Sequence, residues 1–539
     1  MLFSLLFLII TCQLFLRPAY SISEFNLNKQ ITYQIDKEGN AQVEQLISLK
    51  NNFSTIYAKQ YNLNIENQQI ENIIASDSTG DIVESVKHDD KQTIVNLVFN
   101  QPSTNTNKTT DFSISYKVNN LATKQGSIWK IDLPQHKSSS QDNISIILKI
   151  PKSMGKIAYS SIPTNTQFEG DYQIVSISND MSQKNISMAF GQMQLFNINI
   201  KYYLKNDSDH RQTFLVPIPL DTPSQTIIIK DIQPSPQNII IDPDGNFLAQ
   251  YDLDTNQDTS ILFESQIQVH PINPNFPQSS PQPHDTTETN YWPSTNKIIK
   301  SISSNLTTPK QIYDYVINKL DYNLNLVSTA KRKSPLDSVS QPQDSVSRDC
   351  TDVFISLARS ISVPAREIQG VVYTTNPKLQ PQNITGDLLH AWPQFWNQTN
   401  TSWQSVDPTW QKTTDGTNYF DSIDLNHISL VIHSQDDQKP MAPGFYKQNP
   451  TQKSILINPT NIPLQIQNNP PTINLSESQL TIYNPNPNSL SNLSISSSNI
   501  KFSTNIPILP PYSTIKQDIN NINNFSSSLP KNKTIIFTS

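Results

Sequence analysis

The feature that most restricts this chain is a two-residue alternation of apolar and polar side chains, recurring from residue 22 to about 285. ITYQIDKEGNAQVEQLISLK places alternating apolar residues on either side of a Lys-Glu-Gly-Asn turn, a hairpin signature. The same alternation returns in QTIVNLVF, DFSISYKV, ISIILKI, FNINIKYYL, TIIIKDI and NIIIDPDGNFLAQYDL. Half-buried strands with turns between them predict two β-sandwich modules, 22–130 and 131–267. Glycine is scarce (11) and proline plentiful (38), as expected of strands punctuated by proline turns. No strict internal repeat is visible.

Before and after this region the pattern changes. MLFSLLFLIITCQLFLRPAYS reads as a secretory signal peptide, 1–21, ending in the small-x-small pattern Ala19-Tyr20-Ser21. Its apolar run is shorter than a span of ~20 residues, though Arg17 comes late and an uncleaved anchor is the alternative. No later stretch is apolar enough to cross a bilayer, so the chain is expected to be exported, secreted or held at the cell surface. Residues 268–290 form a proline-rich polar linker. After it, TNKIIKSISSNL and TPKQIYDYVINKLDY carry apolar residues at helical spacing, with Thr308 as N-cap and Pro309 as first helical residue. Strands return from 440 to 539 (SILI, QLTIYN, LSISSS, IKFSTN, TIIF) and predict an Ig-like β-sandwich. A single α+β unit, 291–436, therefore sits between all-β modules. The net charge of −6 is scattered in both signs, which argues against nucleic acid or an anionic membrane as partner. Lys331-Arg332-Lys333 is isolated and reads as a solvated loop.

With the leader removed, the only cysteine left is Cys350, because the other, Cys12, lies in the leader. In SVSRDCTDVFISLARSISVPAR, Ser347 or Asp349 can cap a helix whose apolar stripe is Val353, Phe354, Leu357, Ala358 and Ile361, and Pro364 ends it. Cys350 then lies at the helix N-terminus, where unpaired N–H groups favour a thiolate, although Asp349 and Asp352 oppose the shift. Further on, LLHAWPQFWNQTNTSWQSVDPTW contains two aromatic strands around Asn397-Gln398-Thr399-Asn400. If those four residues form the loop, Trp396 pairs with Thr401 and His390 falls opposite Asp407. Cross-strand Cβ atoms lie about 4.5–5.5 Å apart, close enough for a carboxylate to hold an imidazole. Cys350 is then the nucleophile, His390 the base, and Asp407 the group that fixes the His390 tautomer. A buried structural thiol and a packed histidine are the plainer readings, but they leave the three placements unconnected.

These segments resemble the transglutaminase-like superfamily, a branch of the papain-like thiol enzymes. The resemblance covers 290–436 and rests on DCTDVFISLARSISVPAR, HAWPQFW and SWQSVDPTW. DGTNYFDSIDLNHISLVI is similar to the tail of such domains in exported multidomain bacterial proteins. It implies a Cys350–His390–Asp407 triad and thioester chemistry on a protein or peptide amide. The acceptor is an amine in a transglutaminase and water in a protease or amidase. The family commonly has a glycine shortly before the nucleophile, where this chain has Ser347-Arg348-Asp349. Oxyanion donors among the candidates are the N–H of Cys350, Gln341, Gln343 and Trp292.

No cofactor and no metal site is read from the sequence. Asp252, Asp254, Asn256 and Asp258 imitate a calcium loop, but Gln257 stands where glycine is required and Phe263 where an acid is. Asp242-Pro243-Asp244-Gly245-Asn246 reads as a tight turn. His427 is a rival base that reads as structural. Trp392, Trp396, Trp403 and Trp410 cluster on the triad hairpin as core, with one or two lining a cleft. The alternative is a non-catalytic cell-surface binding or scaffold protein, whose β-modules meet cell-surface partners and whose central domain is degenerate.

Overall fold

The computed structural model describes residues 23–518 and 536–538, except 67–69, 89–91, 102–104, 134, 137–141, 378, 381–385, 477–478 and 498–501. The expected leader, with Cys12, lies outside the described residues. Among those described, strands dominate and helices are few. None of the helices is long and apolar enough to cross a membrane.

The first β-rich region is built on an eight-stranded sheet. Phe25–Ile35 and Ala41–Asn51 pair antiparallel across the turn that Lys37 to Asn40 predicted, and every second side chain of Ala41–Asn51 is buried. Asn143–Pro151 joins the other side of Phe25–Ile35 in parallel. One apolar core takes Ile31, Val43, Ile114 and Ile146 from this sheet, Val95 and Leu97 from a second and Ile131, Met188 and Phe190 from a third. The packing therefore runs through the divide expected near 130. Alternation shows which residues face inward but not which distant strand they will meet.

The second β-rich region has a sheet ordered Gln225–Gln233, Asp258–Val269, Gln194–Lys205 and Ile455–Thr460. Its last strand comes from the segment expected to open the C-terminal module, and it pairs Leu195 with Thr460 through Ile200 with Ile455. The separate C-terminal core begins later, around Leu480, Ile482, Leu493, Ile495, Ile506 and Leu509. Asp254 to Gln257 close a hairpin turn (Gln257 N–H to Asp254 O, 3.1 Å), as do Asp242 to Asn246, whose N–H groups bond Asp242 Oδ1. The proline-rich stretch is anchored rather than free: Trp403 donates Nε1–H to Ser279 O (3.1 Å) and Arg359 donates to Thr287 O (2.7 Å).

The α+β region centres on helix Ser347–Ser360, of which all but Arg348 is buried. Lys297–Ser303, Pro309–Lys319 and Pro335–Ser340 pack on it, and Thr308 Oγ1 accepts the N–H of Gln311 as the expected cap. The sheet beside it is ordered Ser402–Ser405, His390–Asn397, Ala365–Val372, His427–His433. Its far face shares a core with the second β-rich region through Ile368, Trp392, Ile428 and Leu430. Ion pairs to buried carboxylates fix the helix. Arg332 forks onto Asp352 (2.7 and 2.8 Å), and Arg348 meets Glu367, which also holds His433 (2.7 Å).

Candidate active site

The helix carrying Cys350 starts at Ser347, with Val346 in the cap position. Asp349 reaches back to accept the Val346 N–H (2.9 Å), so it closes the helix from its third residue. Cys350 is the fourth helical residue, and its own N–H already bonds Val346 O (3.2 Å). It is therefore not among the unpaired donors of the terminus, and its amide is not a free oxyanion donor. Trp292 Nε1 is likewise committed to Asp352 Oδ1 (2.9 Å), while Gln341 and Gln343 are exposed.

Cys350 is 4% exposed. Burial pushes its pKa up to about 12; the Thr409 hydroxyl opposes this, while the Asp349 and Asp407 charges add to it. Desolvation outweighs the helix terminus here, contrary to the thiolate expected from position alone. Among the described residues no hydrogen bond links Sγ to His390. The helix does touch the strand that carries His390, because Ser347 Oγ accepts the N–H of Ala391 (3.4 Å).

His390 opens its strand, and Asp407 lies just past the end of the partner strand. The hairpin pairs Trp396 with Trp403 and Asn397 with Ser402, so the loop is 398–401 and the register is shifted from the expected Trp396–Thr401 pairing. A two-residue slip preserves which face each side chain takes, so the aromatic pattern survived the error. Asp407 is not a ladder partner of His390. It caps the short helix Pro408–Thr413, with Oδ1 accepting the Trp410 N–H (2.8 Å). Its Oδ2 meets His390 Nε2 at 2.6 Å. His390 Nδ1 has no hydrogen-bond partner among the described residues. Trp392 stacks on the ring at 5.9 Å and Trp410 meets it edge-on at 5.3 Å; Trp396 and Trp403 pack on each other farther along the hairpin.

Asp407 Oδ2 has a second partner, His427, which reads as structural in the sequence. His427 Nε2 lies 3.1 Å away, and His427 Nδ1 lies 2.8 Å from Asp424 Oδ1. The available signal was a histidine opening a run of buried apolar residues, since such a polar group needs a partner. Burial would raise the Asp407 pKa, but the charges and hydrogen bonds of His390 and His427 hold it well below the usual carboxylate range. The ligand-capable atoms of His390, Asp407 and His427 lie within 4.8 Å of one another. Each is engaged with another member of the group, an arrangement suited to sharing protons.

The pKa of His427 is pushed up to about 9: burial opposes this, and Asp424 and Asp407 outweigh it. A raised folded value means that its contribution is complete below the ordinary 6.5 and is lost as pH rises through about 9. Stability is therefore expected to fall between about pH 6.5 and 9.5 by on the order of 3 kcal/mol. Urea midpoints across that range, against His427→Phe, check this; parallel curves for the two proteins would contradict it.

Residues 294–408 match the model of the transglutaminase-like superfamily. The matched span of this transglutaminase-like domain contains Cys350, His390 and Asp407 and ends before His427. No curated protein sequence matches the chain. Among solved structures, a candidate cysteine protease from Cytophaga hutchinsonii aligns at 13% identity over 65% of this chain and 98% of that one (TM-score 0.32). An M1 zinc metallopeptidase from Deinococcus radiodurans aligns at 8% over 32% and 42% (0.21). A candidate nutrient-binding protein from Legionella pneumophila aligns at 8% over 31% and 67% (0.21).

Proposed function

We propose that the transglutaminase-like domain performs cysteine acyl transfer on protein or peptide amides. Cys350 attacks the carbonyl, His390 takes the thiol proton through Nδ1, and a thioester forms with release of the amine. An amine or water then displaces the thiol. The observation that carries this reading is the His390–Asp407 pair at 2.6 Å, which leaves Nδ1 without a partner among the described residues, on a strand that touches the helix of the one described cysteine. In the same proposal the chain is exported, its N-terminal regions are β-sandwiches and its C-terminal core is an Ig-like sandwich that meets cell-surface partners.

The buried thiol, with its pKa near 12, favours a second reading: a cell-surface scaffold whose domain no longer reacts. Two measurements separate them. On glutamine-containing peptides, with and without added primary amine, Cys350→Ala is expected to lower turnover about a thousandfold or more. Unchanged turnover would remove Cys350 from the chemistry. In the acyl-transfer reading, alkylation by iodoacetamide, followed by intact mass, proceeds near neutral pH by proton transfer to His390 and is slow in His390→Ala. A thiol that reacts only in strong alkali, or never, would favour the scaffold.

A further inference from the structure

His427 has a carboxylate oxygen at each ring nitrogen: Asp424 Oδ1 at Nδ1 (2.8 Å) and Asp407 Oδ2 at Nε2 (3.1 Å). A neutral imidazole has one N–H, so one nitrogen would point its lone pair at an oxygen; only the doubly protonated ring donates to both. Asp424 is itself held in place by the Asn426 N–H (2.9 Å) and the Tyr419 hydroxyl (3.0 Å). Lys130, reaching in from the first β-rich region, further stabilises the Asp424 charge. The other titratable groups that interact with this cluster are His390, Cys350, Tyr313 and Tyr322 on the Asp407 side, and Tyr159 and Asp132 on the Asp424 side. A buried chain thus runs His390–Asp407–His427–Asp424–Tyr419.

We infer that His427 is a positioning residue: it shares Asp407 Oδ2 with His390 and sets how tightly that carboxylate can hold the base as a cation. The inference rests on the acyl-transfer reading for its purpose, since it concerns the base of that reaction. With Asp407 serving His390 alone, its full charge would favour the His390 imidazolium. A second imidazolium on the same oxygen divides that charge and adds a like charge, with ring centres 6.1 Å apart. Both effects weigh against placing a second cation at His390, the group that accepts the thiol proton. The raised pKa of His427, which Asp424 and Asp407 bring about against burial, agrees with this geometry.

The test is a titration of the histidine rings by ¹⁵N NMR on the full chain, in wild type, His427→Gln and Asp424→Asn. In wild type, both ring nitrogens of His427 are expected to stay protonated between about pH 6 and 8. In His427→Gln, which can still donate one N–H but carries no charge, the His390 pKa is expected to rise by on the order of one unit. Asp424→Asn weakens the hold on the His427 cation and should move His390 the same way by less; it serves if the glutamine variant does not fold. A His427 that titrates as an ordinary imidazole, or a His390 titration unmoved by either variant, would overturn the inference. A merely structural role would move the melting temperature without moving His390. Because the readout is a titration, it stands apart from the triad reading: alkylation unaffected by His390→Ala would end that reading while leaving the titration result intact.

Discussion

Replacing Asp407 by alanine is expected to destabilise the protein by about 3–5 kcal/mol, the usual consequence of removing one member of a buried charged group. Three bonds are lost together: from His390 to Oδ2, from His427 to Oδ2, and from the Trp410 N–H to Oδ1. The last is a helix cap, worth about 1 kcal/mol. The remainder comes from leaving His427 beside Asp424 with its other donor unpaired in a fully buried site. Asp407→Asn is the informative partner. Its carbonyl can keep the cap, but its amide then presents N–H groups to the two imidazoles, where only an acceptor serves. Asparagine should recover the cap's share of stability and none of the His390-dependent alkylation expected at Cys350 near neutral pH. Urea unfolding of both variants checks the first point and iodoacetamide the second. A loss under about 1 kcal/mol in the alanine variant would show that Asp407 is an ordinary surface-like cap.

Local patterns in the sequence carried a good deal of this site. The stripe Val353, Phe354, Leu357, Ala358 and Ile361 predicted the Cys350 helix; the first four are fully buried, while Ile361 follows the last helical residue as its cap and is partly buried. Thr308 and Pro309 marked a helix start that stands where expected. The aromatic strands around residue 400 gave the hairpin, and the two-residue slip in its loop kept side chains on their faces. That slip mattered for the route by which Asp407 reaches His390. Position along a ladder predicted a cross-strand neighbour, whereas a helix cap swings the carboxylate in from beyond the strand.

What stayed hidden is nonlocal. The parallel pairing of Phe25–Ile35 with Asn143–Pro151 joins segments more than a hundred residues apart, and alternation is silent about partners. Ile455–Thr460 looked like the first strand of a new module because its own pattern is that of any half-buried strand; only the exposed edge at Gln194–Lys205 decides where it goes. The thiol environment is hidden for a related reason. A helix N-terminus is visible in sequence, but the depth at which tertiary packing buries its fourth residue is not. His427 reads as structural in the sequence because a histidine next to apolar residues is ordinarily packed, and its two carboxylates come from the loop before it and from a helix cap.

Gly370→Ala tests whether the spacing of the sheet holds this cluster together. Gly370 pairs with His390 on one side and Ser429 on the other, at the point where the ladder to His427–His433 shifts register. A Cβ there would lie 2.0 Å from Ile428 O and 2.9 Å from the Trp392 ring. Neither neighbour is the free end of a flexible side chain, so the strand bearing His427 must move away from the one bearing His390. The expected loss is about 3 kcal/mol, the upper end for adding a methyl group to a packed core. The displacement acts on the link between His427 and Asp407, so His427 should also lose part of its raised pKa. Gly386 is the control, since its nearest neighbour beyond a new Cβ is Thr451 O at 4.0 Å. Alanine there should change stability by no more than about 0.5 kcal/mol. If both alanine variants unfold at the same urea concentration, the close approach at Gly370 is not what fixes His427 against Asp407, and the cluster must be held by its hydrogen bonds alone.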